Sequence, residues 1–301
     1  MISDPERVRT LLQTAPMPPV PEAVPGETDI RWLRSQVPRF RDGAEHHRRR
    51  AAVQRELDRL DPELLRTSAR ARAGRPLAHV RTLLAALDLP ESAADSVALV
   101  AAAYQPHQPI TEAADAAVTE LVTLCRTAIR REYGNSADTP GQANDTRDSH
   151  PHRAGPATTH SHHHPACDST SPDHGNRASR TDSDSIGDCD CSGTSPDSDS
   201  HSDGGVVALI CVLVQACGAT AELIAAARAF DRAPIAERPA RIMADAPPLR
   251  STRRMVNGVA TELDLRHPGL GFGAGPHRCP GAEHALAIAS GVLEGEAGTD
   301  Q

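Results

Sequence analysis

The chain contains no lysine. All 32 of its basic side chains are arginine, and beside so many alanines this reads as the imprint of GC-rich coding DNA, not as a physical requirement. Aromatic residues are nearly as scarce: Trp32, Tyr104, Tyr133, Phe40, Phe230 and Phe272 are the full set in 301 residues. A core assembled from Leu, Val and Ala buries less area per residue than an aromatic one. No basic-then-apolar segment opens the sequence, so no secretory leader is expected. No long apolar run is unbroken either. The best, 206–227, is interrupted by Gln215, Gly218, Thr220 and Glu222, and its continuous part falls short of the roughly 18 residues a bilayer span needs. No basic patch points to nucleic acid. Seven cysteines, odd in number and scattered, do not form a disulfide framework. These absences predict a soluble, cytoplasmic protein that engages neither nucleic acid nor membrane.

What is present divides the chain in three. Residues 1–134 form a helical N-terminal half, 135–205 an insert, and 206–301 a C-terminal part. The insert is Ser, Asp, His, Thr, Gly and Pro with almost no Leu, Val or Phe, and cannot bury enough apolar surface to offset its ordering entropy; disorder is expected. It carries 12 Asp against 4 Arg, a net of −8 that equals the charge of the whole chain, so the remainder is balanced. Within it His160, His162, His163, His164, Cys189 and Cys191 are zinc- or nickel-ligand types. Their spacing is irregular and no second pair completes a four-ligand site. A linker with adventitious metal affinity is the favoured reading, with metal buffering as an alternative.

The flanks read as helices. Ser3-Asp4-Pro5-Glu6 is a capping box that starts a helix through Gln13. Further helices are predicted over 28–36, 45–60, 76–87, 93–104, 111–133 and 206–230, with another ended by Pro247-Pro248. Residues 250–256 read as a strand, and a last helix runs over 281–293. The fold class is therefore mainly α with little β.

One decapeptide carries most of the chemistry: Phe272-Gly273-Ala274-Gly275-Pro276-His277-Arg278-Cys279-Pro280-Gly281. A lone cysteine sits in a glycine-punctuated loop just before an apolar helix. Gly273 and Gly275 permit close backbone approach, and the helix N-terminus favours an ionised sulfur. The run fits F-G-x-G-x-H-x-C-x-G at all its fixed positions and resembles the haem-binding signature of the cytochrome P450 family, the haem-thiolate monooxygenases. The resemblance implies a P450-like helical fold, truncated here and interrupted by the insert. It also implies haem b bound through Cys279 as proximal iron ligand, its thiolate favouring O–O cleavage. His277 then corresponds to the loop residue that meets a propionate, and Phe272 to the aromatic that shields the sulfur.

Three further segments resemble the family. Asp42-Gly43-Ala44-Glu45-His46-His47-Arg48-Arg49-Arg50 is similar to its C helix, with His46 and Arg50 on one face and suited to a propionate carboxylate. Val214–Ala221 is similar to its oxygen-side helix, with Thr220 in the place of the threonine that delivers protons to bound dioxygen. Ala246–Arg254 is similar to the segment entering a short strand, with Arg254 reaching the second propionate. The implied activity is oxidation of a small organic substrate, using dioxygen and electrons from NAD(P)H through a separate reductase and a ferredoxin or flavodoxin. A catalytically degenerate relative that works as a binding or recruitment partner is the alternative. The departures are specific. Arg241 and Ala244 occupy the positions of the family's E-x-x-R ion pair. Ala219 and Gly218 stand where its acid precedes the threonine. The stretch 257–270 is too short for its remaining strands and meander, the insert falls where roof helices would lie, and the early strands are lacking. Marginal stability without the cofactor and a water-accessible distal pocket are expected.

Overall fold

The computed structural model describes residues 1–137 and 198–299, with side chains over 1–132 and 203–298. Most of the predicted insert, including every histidine and cysteine named in it, lies outside the described residues. The described parts before and after it fold together as one compact unit.

Ten helices and one hairpin make up the described fold: α1 (Pro5–Thr14), α2 (Ile30–Gln36), α3 (Gly43–Asp58), α4 (Pro62–Ala71), α5 (Ala78–Ala86), α6 (Ala94–Ala103), α7 (Glu112–Ala137), α8 (Ser198–Arg228), α9 (Arg238–Asp245), β1 (Ser251–Val256), β2 (Val259–Asp264) and α10 (Ala282–Thr299). The cap of α1 is Asp4, whose carboxylate accepts from the Arg7 amide at 2.8 Å, so the expected box is displaced by one residue from Ser3. Helix α4 was missed by periodicity. Its start is nevertheless written as Asp61-Pro62, a carboxylate cap accepting from the Glu63 and Leu64 amides and a proline at the first turn.

The stretch judged too short for further sheet holds β2. It pairs antiparallel with β1 in the register Ser251↔Asp264 to Val256↔Val259. Asn257 (φ 51°) and Gly258 (φ 78°) turn the hairpin, both left-handed as a two-residue type I′ turn requires. Ile2 adds a parallel bridge to Leu263, so the start of the chain contributes to this sheet after all.

Helix α8 is the axis of the fold. Every residue from Val206 to Val214 is buried, because α3, α5, α6, α7, α9 and α10 all pack against it. A helix covered on all sides is apolar on all sides. By length and composition its segment Asp203–Arg228 would suffice to cross a membrane, which corrects the expectation of too short a run; burial among helices accounts for that composition.

The tightest helix pair is α4 on α10. A Cβ at Gly291 or Gly295 would collide with the backbone carbonyls of Arg66 and Arg70 and with Ala69 and Ala73. Glu294, between the glycines, takes a forked pair of hydrogen bonds from the Arg66 guanidinium. Elsewhere Arg34 is buried and closes the end of α6, donating to the carbonyls of Tyr104 (3.1 Å) and Gln105 (2.7 Å). A second small core of Val8, Leu12, Leu263, Leu265 and Leu270 joins α1 to the hairpin and underlies the cysteine loop.

Candidate functional site

The cysteine loop is pinned at both ends. The amide of Gly273 donates to the Leu270 carbonyl (2.8 Å) and that of Cys279 to the Phe272 carbonyl (2.8 Å), folding the loop back on itself. Gly275 has φ 68°, and a Cβ there would lie 2.8 Å from Gln13 Cα. Its glycine is needed because the loop lies against α1. Gly273 (φ 72°) has room for a Cβ and is required only by its backbone angle. Phe272 packs half-buried on the main core.

Cys279 is exposed as a residue, yet protein crowds its sulfur on the remaining sides. That loss of water pushes the thiol above its ordinary value, against the opposing pull of the Gly281 amide and of Arg50, Arg39 and Arg278. The Gly281 amide at the start of α10 favours the ionised sulfur as expected, but desolvation outweighs it and the nearby guanidinium groups.

Helix α3 brings His46 and Arg50 to this loop. The His46 ring is buried and stands 4.0 Å from that of His277, tilted by 44°. Burial first, then His277 and Arg50, lower its pKa to about 4. Arg50 interacts with the Cys279 sulfur. His277 Nε2 is 3.1 Å from Asp42 Oδ1, while Asp42 Oδ2 accepts from the Met17 amide at 2.8 Å. From β1, Arg254 reaches the same cluster. It is 3% exposed, and burial followed by Arg39 lowers its pKa to about 10. Its Nη1 donates to the Arg253 carbonyl at 2.9 Å, but its buried Nε has no partner. Arg39 Nε is likewise buried without a partner.

Arg39 is the residue sequence reasoning missed. It acts on His277, Cys279, Arg254 and Cys211, and its one local signal is the proline that opens the short turn Pro38–Phe40. The cluster thus joins Arg39, Arg50, Arg254, Arg278, His46 and His277. Among the described residues Asp42 is the one carboxylate acting on His46, His277 and Arg254.

The structure does not bring Thr220 to this cluster. The α8 residue coupled to Cys279 is Cys211, which also meets Tyr104 and accepts from the Gln215 amide. Thr220 lies nine positions further on, about 13 Å along the axis and about two and a half turns around it, on the opposite side of the helix. It is buried there, one turn from Cys217, whose carbonyl accepts from buried His79 of α5 at 2.8 Å. Gln215 and Gly218 share the Cys211 face instead. Arg241 and Ala244 are both exposed on α9, while Ile242 and Met243 point inward. A Cβ on Gly271 would lie 2.6 Å from the Met243 side chain, so apolar contact stands where the resemblance would place an ion pair. Two cavities, about 510 and 250 Å³, lie along α4, α5 and α7, and no residue of the cluster lines either.

A planar group with two carboxylates and a thiolate-seeking iron fits these residues. Guanidinium groups in excess of acid, two of them with an unpartnered buried Nε, surround the exposed cysteine, and the loop beside it has its backbone already fixed. No family model matches the sequence, and no curated protein matches it. The fold has a clear counterpart. It is P450-like: P450BioI, crystallised in complex with an acyl carrier protein ligated to hexadec-9Z-enoic acid, superposes with a TM-score of 0.58 at 12% identity, over 96% of this chain and 82% of that one. CYP105P1 in complex with filipin I gives 0.46 at 15% identity, over 96% and 79%.

Proposed function

We propose that this chain binds haem b through Cys279 and is a cytoplasmic P450-type monooxygenase acting on a small organic substrate. The observation that carries the reading is the cluster of cations around an exposed cysteine, in which buried Arg254 has a nitrogen with no partner. Were haem bound, Cys279 Sγ would give up its proton, and the Gly281 amide, Arg50, Arg39 and Arg278 would stabilise the thiolate. Arg254, His46 and Arg50 would hold the two carboxylates, and neutral His46 would gain a proton beside one of them. Phe272 would shield the sulfur. Thiolate-ligated haem supplies the insertion of one oxygen atom from dioxygen, with electrons from NAD(P)H delivered by a reductase and a ferredoxin or flavodoxin.

A second reading is favoured by one observation. Thr220 is on the side of α8 away from Cys211, and the face it vacates offers an amide, Gln215, instead of a hydroxyl. A haem protein without that proton donor would serve as a degenerate binding or recruitment partner. Reduction under carbon monoxide separates the cases: a strongly red-shifted Soret band that Cys279→Ser abolishes supports thiolate haem. Haem-free protein after reconstitution would sink the first reading, and a normal band without substrate turnover would select the second.

A further inference from the structure

We infer that the larger cavity, about 510 Å³ between α5 and α7, is a binding site for a free amino acid with an apolar side chain. None of the cysteine cluster lines it, and haem has no part in it. Its volume is within the range of small-molecule pockets. Leu89, Pro90, Leu124 and Ala128 give it apolar walls, and Asp88 and Arg131 add one charge of each sign.

The seat for a cation is the C-terminus of α5. Asp88 follows that helix with φ 53°, a left-handed angle that glycine adopts at no cost. Its amide donates to the Ala85 carbonyl at 3.3 Å and that of Leu89 to the Leu84 carbonyl at 2.8 Å. Four residues after Ala86 stands Pro90, which has no N–H to give to the Ala86 carbonyl. A carboxylate at the negative end of a helix is also unfavourable. Asp88 therefore serves the fold poorly in both backbone angle and charge, but carboxylate and helix end together suit an ammonium group. On the opposite wall Thr127 Oγ1 donates to the Thr123 carbonyl at 2.8 Å, which leaves its oxygen free to accept.

The seat for an anion is on α7. Leu124, Ala128 and Arg131 are spaced by four and three residues, so one apolar face leads to the guanidinium. Neighbouring Glu132 is held by Arg59 at 2.7 Å. Among the described residues neither the Asp88 carboxylate nor the Arg131 guanidinium has an ion-pair partner. The smaller cavity is the contrast. Its Arg59 pairs with Glu56 and Glu132, and its Asp61 caps α4, so the fold itself uses those charges. In the larger cavity both charges are left over, and a zwitterion on an apolar body answers both.

L-Phenylalanine, phenethylamine and 3-phenylpropionate share one apolar body and separate the two charges. In calorimetric titrations of the full chain, L-phenylalanine should bind at least tenfold more tightly than either, and at least tenfold more tightly than glycine. In Arg131→Gln it should bind no better than phenethylamine, and in Asp88→Asn no better than 3-phenylpropionate. Both side chains are exposed, so neither substitution touches the core. Asp88→Gly should likewise lose the ammonium preference while melting at a higher temperature, because it relieves the backbone angle. A preference for the amino acid that survives Arg131→Gln or Asp88→Asn overturns the inference. Equal binding of the four compounds by the wild type, or binding of none of them at about 10 mM, overturns it as well. A missing carbon monoxide band beside an intact zwitterion preference would remove the haem reading alone.

Discussion

The α4–α10 seam and the cluster around Cys279 are both built from arginine and glycine, yet they are opposites. In the seam, Gly291 and Gly295 let two backbones touch, and Arg66 finds Glu294. The cation there is answered by an acid of the chain itself. In the cluster, glycines fix a loop and arginines converge, but Arg39 and Arg254 keep unpartnered nitrogens beside a single acid. The seam stabilises the fold as it stands. The cluster leaves buried donors unsatisfied, which costs stability, and in this a site proposed to take an anion differs from a packing interface made of the same residues.

The largest effect should come from breaking the seam. Gly291→Val forces a side chain into the Arg66 carbonyl, a collision with backbone that no rotamer relieves. A loss of about 3 kcal/mol or more is expected, measured as a fall in the urea midpoint. A loss below about 1 kcal/mol would mean that the helices can separate at little cost.

Next comes proton uptake at the cluster. His46 has a folded pKa of about 4, below the ordinary 6.5, because the buried imidazole resists charging beside His277 and Arg50. The unfolded chain binds this proton first, so the stabilising difference is complete above pH 6.5 and is lost as pH falls from 6.5 towards 4. His277 and His79 are shifted in the same direction, so the wild-type curve is a sum. The difference between wild type and His46→Phe isolates the one group: the haem-free variant should lose on the order of 2 kcal/mol less across that window. Parallel pH–stability curves for the two proteins would contradict it.

How much of this contrast was legible in the sequence follows from where each signal is written. The cysteine loop is contiguous, so its glycines, its cysteine and its fold-back were readable from ten residues. Helices with a buried stripe were readable from their period, and so was the strand that became β1. Helix α4 is two-fifths arginine and alanine with one exposed leucine, Leu64, and its apolar side makes sense only once Gly291 and Gly295 are known to cover it. The β2 strand was hidden by comparison with a longer family pattern, although Asn257-Gly258 announces a hairpin. Arg39 is one arginine among 32, and only a fold that brings it beside Arg254 marks it out. Thr220 was placed by likeness of an eight-residue stretch, and the rotation of α8 about its axis, set by packing with six helices, decided which face it occupies.

The sharpest version of the comparison applies one substitution to both regions. Arg254→Met removes a buried cation that repels Arg39 and keeps an aliphatic stem of similar length. Replacing poorly compensated buried charge by an apolar group is often neutral or stabilising. The haem-free variant should gain about 1 kcal/mol, read as a higher melting temperature, while its binding of carboxylate weakens. Arg66→Met in the seam should move the other way. Its forked bond to Glu294 disappears and leaves that half-buried carboxylate without its partner. Because Arg66 is about one-third exposed, water screens the pair and softens the loss, so a cost of about 0.5–1 kcal/mol is expected. Equal signs for the two variants would erase the distinction between a self-sufficient arginine and one held in readiness for a ligand.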